Sequence, residues 1–290
     1  MQTIEFGQKL NTPVVICLGF FGCVHNGHQA ILQKAAALAE NSDARIALFT
    51  FRNGKSNVKQ LFTFDERLEL YKNFGVDVVV YADFDADFAA TKGGVFVQKL
   101  LDSLNVCGVC CGFDYTFGCD RLCAEDLLAM LPANIQTVVV DCVSFDGTKI
   151  ATSNIYDLVA SGRVEQANKL LAEPFFFQGK VVHGRHVGTD MGFPTANVTV
   201  GNDKLLPCGV FAGITTVDEV EYRCIVNIGA KPTFGIESST VEAHLIDFDG
   251  NLYGQTLKVH LTRFLRETRA FSSEKELEEQ LSKDKKAAML

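Results

Sequence analysis

The apolar positions of the first half of the chain fall into two alternating rhythms. Five short, nearly unbroken apolar runs have the length and β-branched content of buried strands. They are Pro13–Gly19 (PVVICLG), Arg45–Phe51, Asp77–Tyr81, Asn105–Cys111 and Ile135–Asp141. Between them Gly27–Glu40, Thr63–Phe74 and Val95–Leu104 space their apolar residues as helices do, and the second opens on Thr63 with Glu66 three residues on, a capping-box pattern. Strand–helix alternation of this kind predicts an α/β domain, a parallel sheet flanked by helices, whose ligands bind beyond the carboxyl ends of the strands. Two helical stretches, NIYDLVASG and RVEQANKLLAE, follow from Asn154, and Glu173-Pro174 breaks the pattern. From Phe175 short β-rich runs recur (FFFQGKVVHG, VFAGITTV, YRCIVNIG, TVEAHLIDF, TLKVHLTRFL), separated by turn residues. They predict a closed antiparallel β-barrel, followed by a polar helix over Ser272–Met289. The expected domains are therefore 1–172 and 175–290.

Composition narrows the function classes. The 290 residues are 47% hydrophobic and 21% charged, as in an ordinary globular protein. No stretch reaches the roughly 20 apolar residues of a membrane span, and the start has no basic segment followed by an apolar core, so neither membrane nor secretory signal is expected. A formal charge of -8 argues against broad binding to a nucleic-acid backbone. Ten cysteines, mostly inside apolar runs, read as buried structural thiols in a reducing cytoplasm. The C-x2-C of Cys107 and Cys110 and the C-x3-C of Cys119 and Cys123 keep zinc as an alternative.

Two segments carry chemistry. His25-Asn26-Gly27-His28 stands between a strand and a helix, where free backbone N–H groups favour an anion. His25 and His28 can stabilise charge building on a triphosphate during nucleotidyl transfer, with Gly27 letting phosphate approach the backbone. The plainer alternative is a pair of surface or capping histidines. In the second half Gly184, Gly188 and Gly192 permit backbone close to phosphates, and Pro194 fixes a turn. Thr195 and Asn197, two apart in an extended segment, present a hydroxyl and an amide oxygen to one side, a donor pair suited to Mg²⁺ on ATP phosphates.

The segments GFFGCVHNGHQAIL and Cys111–Gly118 (CGFDYTFG), with Gly192–Asn197 (GFPTAN), Asn227-Ile228-Gly229, Val241–Leu245 and Leu252-Tyr253-Gly254, resemble the motifs of bacterial bifunctional riboflavin kinase/FAD synthetases in order and spacing. The resemblance covers most of residues 13–160 and almost all of 177–285. It implies phosphorylation of riboflavin to FMN by ATP, and attack of the FMN phosphate on the α-phosphorus of a second ATP to give FAD. It implies a nucleotide-recognising role for Asp114 and phosphate contacts for Thr152 and Ser153. It also implies Mg²⁺ at Thr195 and Asn197, a general base at Glu242, and a flavin or phosphate contact at Arg266. His244, two residues from Glu242, lies on the same strand face.

Several positions depart from the pattern. Gly22 replaces an aspartate, Gly54 stands in a segment without the usual His-Pro, and Tyr156 replaces an arginine whose charged fork it cannot reproduce. Arg52, Lys55 or Arg121 are the candidates to compensate. Thr189 and Thr268 replace an arginine and a glutamate near the kinase motifs. The departures leave open a kinase with a degenerate first domain, or a flavin- or nucleotide-binding regulator without catalysis. An adenylyltransferase for another phosphate, such as phosphopantetheine, would suit His25–His28 but leave the second half unexplained.

Overall fold

The computed structural model describes residues 1–54, 58–183, 194–233 and 236–290, with side chains left out over 230–239. The chain divides into two compact units. One comprises Met1–Val58 with Phe64–Thr152, and the other Lys59–Thr63 with Ser153–Leu290. The break at Glu173-Pro174 read from the sequence thus falls inside the second unit, because the helices after Thr152 group with the barrel.

In the first unit β1 (Gln2–Glu5), β2 (Leu10–Leu18), α1 (Asn26–Ser42), β3 (Arg45–Phe51), α2 (Phe64–Asn73), β4 (Val78–Ala82), α3 (Ala86–Ala89), α4 (Gly93–Ser103), β5 (Leu104–Gly112), α5 (Ala124–Met130) and β6 (Gln136–Val140) follow in order. The six strands form one sheet in the order β1-β4-β3-β2-β5-β6, and every pairing is parallel. The five expected strands are all present. The edge strand β1 is an addition to them, because it buries a single residue, Ile4, and so leaves no periodic trace in the sequence. Chain order reverses between β2 and its neighbours β3 and β5, which creates a crevice at their carboxyl ends. A small hairpin, β7 (Ser144–Phe145) and β8 (Thr148–Lys149), follows β6.

Buried valine, isoleucine and cysteine fill these strands. Cys17 and Cys110 are register partners, and burial pushes the Cys110 thiol up to about 12, which keeps it protonated and apolar in behaviour. Cys123 instead stands at the N-cap of α5, where the Asp126 carboxylate accepts its backbone N–H at 2.9 Å and its thiol at 3.1 Å. Gly118 must be glycine on two counts. Its φ is +74°, and a side-chain carbon there would collide with the backbone nitrogen of Gly93.

The second unit opens with α6 (Thr152–Ala160) and α7 (Val164–Leu170) and continues with β9 (Phe176–Val182), β10 (Ala196–Thr199), β11 (Gly209–Val217), β12 (Val220–Thr233), β13 (Ile236–Leu245), β14 (Thr256–Arg266) and α8 (Glu274–Met289). The strands close into a barrel in the order β10-β13-β12-β11-β14-β9, every pair antiparallel, as the second rhythm of the sequence predicts. Helix α8 lays Ala288 on a patch formed by Val210, Ala212, Ile225 and Ile246. Arginines fasten its end: Arg223 donates to the carbonyls of Ala288 and Met289, at 3.2 and 2.7 Å, and Arg263 to that of Ala287. Those carbonyls are the ones a helix leaves unpaired at its C-terminus.

Lys204 ties Lys59–Thr63 to this unit. Its ammonium is fully buried, donates to the carbonyls of Leu61 and Phe176 at 2.6 Å each, and lies 4.4 Å from the ring centre of Phe62 and 4.6 Å from that of Phe175. Carbonyl dipoles and aromatic faces together replace the water that the charge loses.

Candidate functional site

The loop between β2 and α1 is held open by its own backbone. Phe21 adopts φ +47°, uncommon for a side-chain-bearing residue, and is fully buried with its ring 4.5 Å from that of His28. Thr50 donates to the Phe20 carbonyl at 2.6 Å, and the Tyr71 hydroxyl donates to that of Phe21 at 2.7 Å. Thr50 and the carbonyls of Phe51 and Arg52 are in turn gripped by the buried Arg67 guanidinium, at 2.9 to 3.0 Å. Each brace comes from the neighbouring β3 and α2, so the sheet fixes where the loop ends.

His25 and His28 stack at 3.7 Å with their planes 13° apart. His25 is the N-cap of α1: its Nδ1 accepts the His28 backbone N–H at 3.1 Å. The plainer reading of a capping histidine is therefore true of His25 at the same time as the functional one. Capping leaves the proton of the neutral ring on Nε2. His28 Nδ1 lies 2.7 Å from the Cys23 carbonyl, which can only accept, so Nδ1 carries the proton and Nε2 a lone pair. Burial lowers His25 to about 4 and pushes His28 well below its usual value, so both rings are neutral at pH 7. Gly27 is required by space: a side-chain carbon would stand 3.1 Å from the His25 ring and press on the cap.

These residues line a cavity of about 440 Å³ at the carboxyl ends of β2, β5 and β6, together with Asp114, Lys149 and Thr152. Asp141 is a second carboxylate on the wall, and part of the remainder is aromatic; Phe51 meets Phe84 and Phe88 at 5.0 Å each, and Phe84 and Phe113 keep exposed faces. Lys149 Nζ lies 2.6 Å from the Asp114 carboxylate and 4.8 Å from the Phe113 ring centre. The Cys23 thiol points to the Thr152 hydroxyl at 3.8 Å, while Ser153 is exposed and lies outside the cavity wall. Of the cations proposed to stand in for the missing arginine, Arg52 pairs with Asp83 and stacks on Tyr81. Neither it nor Arg121 lines the cavity, and Lys55 lies outside the described residues. Among the described wall residues Lys149 is the permanent cation. Its place immediately before Ile150-Ala151-Thr152 is the one mark of it in the sequence, too slight to single it out among the lysines.

On the barrel the strand register makes a second constellation. Asn197 of β10 pairs directly with Glu242 of β13, and Glu242 pairs on its other side with Asn227 of β12. Directly paired residues share a face with their side chains about 5 Å apart. All three are half-buried between neighbours that are buried, and among the described residues none has a side-chain hydrogen-bond partner. Thr195 sits half-buried two residues before Asn197. His244 Nδ1 donates to the Pro194 carbonyl at 2.9 Å, so its part here is to fasten the Pro194–Thr195 segment to β13. Burial lowers the His244 pKa and keeps that ring neutral. The row continues from Asn227 to Val210 and then to Arg266. The Arg266 guanidinium is taken up by Asp284 of α8, with Nε at 3.0 and 3.2 Å and Nη2 at 2.8 Å from its carboxylate. Gly184, Gly188, Gly192 and Thr189 lie outside the described residues. The donor set around Asn197 consists of hard oxygens, a hydroxyl and a carboxamide beside a carboxylate, which fits a divalent metal such as Mg²⁺.

Known proteins match both units. Residues 7–154 match the family model described as FAD synthetase, and 171–290 the one described as riboflavin kinase. The bifunctional riboflavin kinase/FMN adenylyltransferase of Bacillus subtilis is 33% identical over 95% of this chain and 91% of its own. That of Escherichia coli K12 is 31% identical over 98% and 94%. A solved structure from Streptococcus pneumoniae, described as a macrolide-efflux protein, superposes with a TM-score of 0.91 at 28% identity, covering 100% of this chain and 99% of that one. No helix among the described residues of this chain is long and apolar enough to cross a membrane. Two matched family models in this order, with relatives similar along nearly the whole length, make the chain a member of the bifunctional riboflavin kinase/FMN adenylyltransferase family.

Proposed function

We propose that the chain, a flavin-biosynthetic enzyme with riboflavin kinase and FMN adenylyltransferase activities, phosphorylates riboflavin at the Asn197–Glu242 row and adenylylates FMN in the cavity beside His25 and His28. On this reading adenylylation belongs to residues 1–172 and phosphorylation to 175–290. The observation that carries it is the register that makes Asn197 and Glu242 direct partners. Thr195 and Asn197 would hold Mg²⁺, which when bound neutralises charge on the ATP phosphates. The Glu242 carboxylate accepts the proton of the ribityl 5′-hydroxyl as that oxygen bonds to the γ-phosphorus and ADP departs. Gly184, Gly188 and Gly192 are assigned to the phosphates by motif alone. With its guanidinium engaged by Asp284, Arg266 contributes to the flavin site by holding α8 in place.

In the cavity, an FMN phosphate oxygen bonds to the α-phosphorus of ATP while the bond to the departing pyrophosphate breaks. His25 Nε2–H donates to a phosphate oxygen. Thr152 offers a hydroxyl, Ser153 is assigned to phosphate by motif alone, and the exposed faces of Phe84 and Phe113 suit a flat ring. Asp114 recognises nucleotide, and Lys149 supplies the cation that Tyr156 cannot. A reducing cytoplasm is supported by the fully buried thiols of Cys17, Cys23 and Cys224.

Incubating the purified chain with riboflavin, ATP and Mg²⁺, and separately with FMN, ATP and Mg²⁺, followed by chromatography, tests both halves. FMN is expected in the first mixture and FAD in both. FMN formation without FAD would remove the cavity from the proposal, and FAD from supplied FMN with no turnover of riboflavin would remove the barrel row.

A further inference from the structure

Asn227 has no part in the reaction described so far, yet the register sets it against the carboxylate of Glu242 on the side away from Asn197. Asparagine is a poor strand former and its carboxamide here still reaches solvent, so packing does not account for it and the amide is open to a ligand. Val226 and Ile228 on either side are fully buried, which holds the backbone and aims the Asn227 side chain to the same face as Glu242. Among the described residues that amide makes no hydrogen bond. The row has a direction. Hard-oxygen donors lie at Asn197, the carboxylate follows, then the amide of Asn227, and then apolar Val210, where α8 packs.

We infer that Asn227 is a specificity-determining residue that binds the polyhydroxylated side chain of the flavin acceptor. An amide both donates and accepts, and so does each hydroxyl of that chain, so one side chain can hold the hydroxyl next to the one being phosphorylated. The order of the row then matches the order of groups in the substrates: phosphates at Asn197, reacting hydroxyl at Glu242, remaining hydroxyls at Asn227, ring toward the apolar end. This assignment rests on the kinase reading of the row.

The test uses the full chain carrying Asn227→Ala, with riboflavin phosphorylation as the assay and lumiflavin, the same ring without hydroxyls, as a competitive inhibitor. The KM for riboflavin is expected to rise about tenfold, the loss of one hydrogen bond. The KM for ATP, the inhibition constant of lumiflavin and FAD formation from supplied FMN should stay unchanged. An unaltered riboflavin KM overturns the inference. So does a parallel rise of the lumiflavin constant, which would place Asn227 at the ring, or a rise confined to the ATP KM, which would place it with the phosphates. Should the alanine variant not phosphorylate at all, Asn227→Ser is measured in the same way, and complete loss in both overturns an acceptor-binding role. Glu242→Gln run in parallel separates the two levels. Full turnover in that variant sinks the kinase reading itself, whereas an inactive Glu242→Gln beside an unaltered Asn227→Ala sinks only the role of Asn227.

Discussion

A single ring nitrogen decides much of the first site. Because His25 Nδ1 is engaged in capping α1, its Nε2–H is available whether the ring is neutral or charged. His28 is the reverse: with Nδ1 donating to Cys23, it offers a donor at Nε2 only after taking up a proton. With His28 held neutral by burial and the His25 Nε2–H already in place, binding of ATP in the cavity is expected to take up no proton near pH 7. Calorimetric titration in buffers of different ionisation enthalpy measures this, and a binding enthalpy that varies with the buffer would refute it. The depressed His25 pKa also has a stability consequence. A histidine that ionises at about 4 when folded and at 6.5 when unfolded binds fewer protons in the folded state between those values. Its contribution is complete above pH 6.5 and is lost as pH falls through about 4. Gly27→Ala presses a carbon on the His25 ring, and FAD formation is expected to drop at least about tenfold with riboflavin phosphorylation unchanged. Lys149→Met should raise the ATP KM of adenylylation, and Lys149→Arg should restore it.

Elements are fixed by contacts that local propensity does not encode. The buried Lys204 is the clearest case, since an ammonium sealed among three phenylalanines serves the carbonyls of Leu61 and Phe176 from a loop far along the chain. Lys204→Met leaves those acceptors buried without their donor and should cost on the order of 3 kcal/mol. Urea unfolding followed at the second unit reads this, and a loss below about 1 kcal/mol would show that the carbonyls find other donors. Helix α8 depends likewise on strands β12 and β14, whose arginines complete its final turn.

At the scale of the whole molecule, two chemistries that both consume ATP are built on unrelated folds within one chain. On the proposed assignment their machinery shares no residue. Glu242→Ala is expected to lose more than about 99% of riboflavin phosphorylation while riboflavin still binds and supplied FMN is still converted to FAD. His28→Ala should show the converse. Parallel loss of both activities in either variant, with the fold intact, would contradict the separation.

Fold class is legible in the sequence because period is a local property: buried parallel strands, amphipathic helices and short barrel strands each leave their rhythm in a few residues. His25, His28, Thr195, Asn197 and Glu242 are legible as candidates because each stands in a short motif. Lys149 stands in none, and Asn227 stands in the Asn227-Ile228-Gly229 motif without a role that the motif assigns. What each does depends on which strand lies beside it, and pairing over tens of residues leaves no mark in the local pattern. The attachment of residues 59–63 is hidden for the same reason, since its partners Asp203 and Lys204 come from the other half of the sequence. The sequence alone therefore determined the elements and marked the groups proposed to react. Only the tertiary structure decided which groups face one another, because distance in space is set by register and closure.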